Sequence, residues 1–261
     1  MPVIIMGGGT NLLISDEGVR GVVMKPQFDF VKSDGLLVRA GGGTVVQELL
    51  AYSIRRGLSG LEWAGGLPGT VGGAIRGNAG AFAGEIKDVT REVVSLRFAR
   101  LPLKRIVRSG RACRFGYRTS IFKERAHDEM IIEATFALRR GDPRAIRAAI
   151  EEKIRYRQER HPLEYPNIGS IFKNVDVRFV PKRFLTRFTH VVKTDPFPVV
   201  PAAYLIDQAG LKGVTRGGAM ISPKHPNFIV NVLGATAADV KTLIRLVQGT
   251  VKKSFSITLE E

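Results

Sequence analysis

The chain has 261 residues, enough for two packed lobes, with 44% hydrophobic residues, 29 glycines and a formal net charge of +16. No apolar run reaches the roughly 20 residues that would span a bilayer as a helix, and the single cysteine, Cys113, excludes an internal disulfide framework and fits a reduced, cytoplasmic setting. The cations are spread along the chain (Arg100, Arg144, Arg187 and Lys252 among them) with no zinc-finger spacing, aromatic RNA-binding string or basic-region heptad, so nucleic acid is not the expected partner.

In chain order, Val3–Met6 has the pattern of a buried strand and runs straight into Gly7-Gly8-Gly9-Thr10-Asn11. Short strands are expected at Gly21–Met24 and Leu36–Arg39. Thr44–Arg56 reads as a helix with Val46, Leu49, Leu50 and Ser53 on one face and Gly57 as its stop. A glycine-dense loop follows from Gly65 to Gly84, and strands at Val93–Phe98 and Met130–Leu138 flank the string Cys113-Arg-Phe-Gly-Tyr-Arg118-Thr-Ser-Ile-Phe-Lys123.

Asp142-Pro143 starts a helix, with Asp as N-cap and Pro at the first helical position. Ile146, Ile150 and Ile154 carry it to about Glu159. Residues 175–200, rich in β-branched residues and proline, read as an extended excursion. Thr236-Ala-Ala-Asp239 is a capping box with Asp in the usual Glu or Gln role, followed by the stripe Val240, Leu243, Leu246 or Val247, and Val251. The mixture of elements predicts an α+β fold.

Two glycine loops can bring backbone N–H groups onto phosphate oxygens. One is Gly7, Gly8, Gly9, Thr10, Asn11 and Leu12; the other is Pro68, Gly69, Thr70, Gly72 and Gly73, continuing to Asn78 and Gly80. Neither fits the Rossmann fingerprint or a P-loop. The tetrapeptide Ser-Ile-Phe-Lys occurs twice, at Ser120–Lys123 and Ser170–Lys173. The second copy closes Pro166-Asn-Ile-Gly-Ser170-Ile-Phe-Lys-Asn174. His127, His161 and His190 show no metal-ligand spacing with Cys113 or carboxylates, so no metal is assigned.

The segments Gly7–Leu13, Gly65–Gly80, Phe115–Lys123, Gly169–Asn174, Ala203–Gly213 and Gly217–Asn231, in this order and spacing, resemble the UDP-N-acetylenolpyruvoylglucosamine reductase family, of the type without the extra tyrosine loop. The resemblance implies an FAD-binding lobe of the vanillyl-alcohol-oxidase type over residues 1–160, with 252–261 returning to it. A smaller α+β substrate-binding lobe would occupy 161–251. It also implies that the first strands and helix of the flavin lobe are missing, leaving Val3–Met6 without its expected sheet partners.

The implied activity is NADPH-dependent reduction, through FAD, of the enolpyruvyl group of a UDP-sugar in peptidoglycan synthesis, by a cytoplasmic monomer with no membrane partner. Arg118 matches the arginine that stabilises the enolate-like intermediate, for which a planar guanidinium is suited. Ser170 matches the proton donor, with Lys173 and Arg118 as its expected cationic neighbours. A third residue, a glutamate three positions after a leucine, has Glu261 as its nearest counterpart, one position out of register with Leu259. Tyr117, Lys173, Asn174, Lys212, Lys224 and Asn227 are the expected substrate-binding residues. Two alternatives stay open: a basic binding protein that has lost catalysis on the same scaffold, and another FAD-dependent oxidoreductase of this fold.

Overall fold

The computed structural model describes residues 2–98, 102–124 and 128–261; Arg100 and His127 lie outside them. The chain divides into two compact units, Met1–Gly9 with Val19–Arg157, and Thr10–Gly18 with Gln158–Glu261.

The first unit is built on a five-stranded antiparallel sheet in the order Val31–Asp34, Leu37–Gly41, Glu129–Ala137, Thr90–Arg97 and Lys104–Ser109. Its helices are α1 (Val46–Arg56), α2 (Val71–Arg76), α3 (Ile121–Glu124) and most of α4 (Pro143–Arg160). Val46, Leu49, Leu50 and Ser53 are the buried face of α1, as their spacing predicts, and Gly57 ends the helix in the left-handed conformation at φ +60°. Ile146 and Ile150 of α4 are buried against the same core, which includes Val38, Phe122, Ile131 and Phe136.

Val3–Ile5 pairs in parallel with Val22–Met24. One expectation for this unit needs correction: the glycine-dense stretch is not all loop. Thr70 accepts a hydrogen bond from the Gly73 amide and starts α2, whose Val71, Ala74 and Ile75 are buried at helical spacing.

The second unit has a four-stranded antiparallel sheet in the order Asn167–Ser170, Phe228–Asn231, Ala219–Ile221 and Thr215–Arg216. With it pack α5 (Lys182–Phe188), α6 (Ala202–Gln208) and α7 (Ala237–Phe255). The Thr236–Asp239 capping box forms in both directions. The excursion at 175–200 is not simply extended: it contains α5, whose Phe188 is fully buried, and closes on itself where Val175–Asp176 pairs with Val199–Val200.

Residues 252–261 do not return to the flavin lobe, because Phe255, Ile257 and Leu259 are buried in the second core. Thr10–Gly18 leaves the flavin lobe as well. Both oxygens of the Asp16 carboxylate accept from the Ala237 amide, at 2.9 and 3.0 Å, at the start of α7. A carboxylate there is favoured by the unpaired amides and positive end of the helix. No helix among the described residues is long and apolar enough to cross a membrane.

Candidate active site

In the first unit the starts of α1 and α2 are tied together by backbone bonds. The Val46 amide donates to Gly69 at 3.0 Å, the Val71 amide to Thr44 at 2.9 Å, and the Gly72 amide to Gly42 at 2.9 Å. Gly7 presses onto this seam so closely that a Cβ there would stand 2.5 Å from Thr70 Oγ1. Among the described residues the amides of Gly7, Gly8 and Gly9 make no hydrogen bond. Open amides on a side-chain-free loop fit the diphosphate of a dinucleotide, and a side chain at Gly7 would force Thr70 to shift.

Arg118 lies at the tip of a tight turn closed by reciprocal bonds between Gly116 and Thr119, at 3.0 and 3.2 Å. Its φ is +56°, a left-handed conformation that costs a non-glycine residue on the order of 1 kcal/mol. Its Nη2 donates to the Gly80 carbonyl at 2.8 Å, and its guanidinium carbon lies 5.3 Å from the centre of the Tyr117 ring.

The turn is held from behind by Asn78. The Asn78 Nδ2 donates to Gly116 O at 2.9 Å and Glu85 Oε1 at 3.1 Å, and its Oδ1 accepts from the Lys87 amide at 3.2 Å. Ser120, buried, donates to the Arg76 carbonyl at 2.7 Å at the end of α2. The first Ser-Ile-Phe-Lys copy thus fixes the turn, with Phe122 in the core.

In the second unit Ser170 ends its strand opposite Phe228, just after Gly169 at φ +83°. Its side chain is exposed, and among the described residues its hydroxyl makes no hydrogen bond. The strand is clamped immediately beyond it. Asn227 Oδ1 accepts from the Phe172 amide at 3.0 Å, and its Nδ2 donates to the Phe172 carbonyl at 2.9 Å. Lys173 binds Glu260 twice: its amide donates to the Glu260 carbonyl at 2.8 Å, and its Nζ lies 3.3 Å from the carboxylate.

Lys212 pairs with Asp207 at 2.8 Å, and Lys224 donates to the Gln158 carbonyl at 2.9 Å and reaches Glu164 at 3.5 Å. His225 is held below the usual imidazole range by burial, with Lys193 and Lys212 adding to the effect, and its Nδ1 has no hydrogen-bond partner among the described residues. Among the described residues no group of three or more His, Cys, Asp or Glu is placed to hold a metal ion.

Residues 1–101 match the FAD binding domain family, and residues 161–261 match the C-terminal domain of UDP-N-acetylenolpyruvoylglucosamine reductase. The UDP-N-acetylenolpyruvoylglucosamine reductase of Carboxydothermus hydrogenoformans is 40% identical over 261 residues, covering 98% of this chain and 76% of that protein. The chain belongs to the UDP-N-acetylenolpyruvoylglucosamine reductase family. A second member, reductase 2 of Symbiobacterium thermophilum, is 38% identical across 100% of this chain and 76% of its own length. The crystal structure of the Thermus caldophilus reductase superposes with a TM-score of 0.75 at 31% identity, covering 99% of this chain and 84% of that one. The α+β architecture of a flavin-binding lobe followed by a C-terminal lobe is that of this reductase family.

Several expected contact residues have partners within the protein. Asn78 and Asn227 are buried, and their side-chain amides bond to internal partners. Asn174 Oδ1 accepts from the Ala202 amide at 3.2 Å, and the carbonyl of Gly80 anchors Arg118. Thr10, Asn11 and Leu12 fall in the segment that packs with the second unit, where Asn11 lies near Gly169. Lys173 pairs with the exposed Glu260. Glu261 is exposed and makes no hydrogen bond or ion pair among the described residues. Sequence patterns missed Glu260, Asp16 and Arg157, because each acquires its partners only through the fold.

Proposed function

We propose that this chain reduces the enolpyruvyl group of UDP-N-acetylglucosamine enolpyruvate to UDP-N-acetylmuramate, as an FAD-dependent oxidoreductase with NADPH as donor. The observation that carries the reading is Arg118: a non-glycine residue in a strained turn, its guanidinium fixed by a backbone carbonyl instead of a carboxylate. An arginine so held remains available to an incoming anion.

The Gly7–Gly9 amides and the loop Pro68–Gly73 are the residues that would hold the FAD diphosphate. Bound there, FAD would supply the hydride-transfer chemistry that links NADPH to the substrate alkene. Negative charge then develops on the carbon bearing the substrate carboxylate. Arg118 stabilises that charge, an effect worth roughly 10²–10³ in rate for one well-placed donor. Ser170 supplies the proton that completes the addition, its hydroxyl uncommitted among the described residues. Tyr117, Lys212 and Lys224 are proposed to orient the UDP-sugar, the two lysines exchanging their present carboxylate contacts for the diphosphate. Glu260 is favoured over Glu261 as the acidic partner on the second unit, since only Glu260 is tied to the Ser170–Asn174 string.

We further propose a cytoplasmic monomer with no nucleic-acid partner, consistent with one reduced thiol and dispersed cations. Static light scattering would check the monomer.

Purified protein is expected to be yellow and to oxidise NADPH only when the enolpyruvyl sugar is present. A colourless protein that takes up no FAD overturns the reading. In stopped-flow measurements Ser170→Ala should leave flavin reduction by NADPH unchanged and slow flavin reoxidation by the sugar at least about 10²-fold. Equal loss of both half-reactions would argue against the role given to Ser170.

A further inference from the structure

Arg157, near the end of α4, is the other arginine of the first unit whose setting calls for an anion. Its Nε donates to the Gly65 carbonyl at 2.8 Å, and the guanidinium stacks on Phe82, 5.4 Å from the ring centre. Phe82 is itself packed edge-on by Tyr156 at 5.1 Å. Gly66 is what allows this fit, because a Cβ there would stand 2.9 Å from Arg157 Cδ. Stacking and the Gly65 bond account for one face and one nitrogen of the group.

They do not account for Nη2, which is buried and has no hydrogen-bond partner among the described residues. A buried charged donor without a partner costs more than a neutral one and is rare in a finished structure. The electrostatics add to the cost. Burial, and then the neighbouring charge of Arg118, push Arg157 below the usual guanidinium range. Among the described residues neither arginine forms an ion pair. An anion that met the open donor would relieve both the unpaired buried charge and this repulsion.

We propose that Arg157 is a second cation of the reaction centre, its open Nη2 donating to an anionic oxygen that arrives with a bound reactant. The inference rests on the reductase reading. The fitting chemistry is a planar, delocalised oxyanion, matched to the fork of a guanidinium. Two reactants offer one: the enolpyruvyl carboxylate, and the ring of the reduced flavin, where hydride uptake leaves negative charge that a nearby cation stabilises.

The test compares wild type, Arg157→Met and Arg157→Lys, each loaded with FAD. The Met variant keeps an unbranched apolar stem over Phe82; the Lys variant keeps the charge. If the flavin supplies the oxyanion, the reduction potential of the bound flavin, measured without sugar, becomes more negative in Arg157→Met and partly recovers in Arg157→Lys. If the carboxylate supplies it, the potential stays at the wild-type value, and KM for the UDP-sugar rises about tenfold or more, as expected for losing a hydrogen bond to a charged group. A wild-type-like potential and KM in Arg157→Met, with only the melting temperature changed, overturns the inference and leaves the reductase reading intact. A wild-type chain that takes up no FAD overturns both.

Discussion

Arg118 donates to the carbonyl of Gly80 at 2.8 Å while its own backbone is held at φ +56°. The same bond that aims the side chain therefore also helps hold an unfavourable turn. Arg118→Gly would relieve the backbone strain and lose the hydrogen bond, two effects of about 1 kcal/mol each with opposite sign. The melting temperature is expected to stay within about 2–4 °C of wild type, while turnover falls by roughly 10²–10³. Calorimetry and steady-state assay of the same preparation check this pair. A large fall in melting temperature would assign Arg118 a structural role instead.

Asn78 uses both Nδ2 hydrogens and its Oδ1 inside the protein. Asn78→Ala would leave the Gly116 carbonyl, the Glu85 carboxylate and the Lys87 amide short of a partner. The expected loss is about 2–4 kcal/mol of stability, visible in protein stripped of FAD. A denaturant midpoint unchanged in the stripped protein but lowered in the loaded one would restore Asn78 as a cofactor contact.

Glu129 is buried, which opposes its ionisation, yet Arg108, Ser95 and Arg97 bind its carboxylate and hold its pKa below the usual value of 4.5. The unfolded chain then binds the proton more readily than the folded one. This part of the stability is complete above about pH 4.5 and is lost as pH falls through the folded-state pKa. Glu129→Gln is expected to be less stable near neutral pH and to show a shallower decline in acid. Parallel pH–stability curves for the two proteins would exclude the linkage.

Cys113 is fully buried, and burial first, with Glu129 adding and Arg108 opposing, pushes its thiol up to about 11. The thiolate is the reactive form. Native protein at pH 8 should therefore consume almost no thiol reagent over minutes, and one equivalent once unfolded in guanidinium chloride. Rapid labelling of the native protein would mean that this part of the first core opens readily.

Much of the local structure was legible without coordinates. The buried face of α1, the Asp142-Pro143 start of α4 and the capping box of α7 all follow from short-range spacing, which a helix converts directly into one face or one cap. The two strings around Arg118 and Ser170 were legible as well, through their likeness to a reductase family. Helix α2 was hidden because glycines mask a helical pattern whose cap, Thr70, is easily read as a loop donor. Helix α5 was hidden among prolines and β-branched residues that mimic an extended chain.

The roles of single polar side chains were not legible. Asn78 and Asn227 look like ligand donors in the chain, and only the fold buries them and gives them partners 38 and 55 positions away. Arg157 looks like one more cation on a basic helix until Gly65, Phe82 and Arg118 surround it. The sequence by itself determined α1, α4 and α7 with their caps, the two recognisable strings and, with them, the reductase family, because all of these depend on neighbours in the chain. Only the tertiary structure decided which polar groups are already satisfied and which still lack a partner, because hydrogen bonding and desolvation depend on neighbours in space.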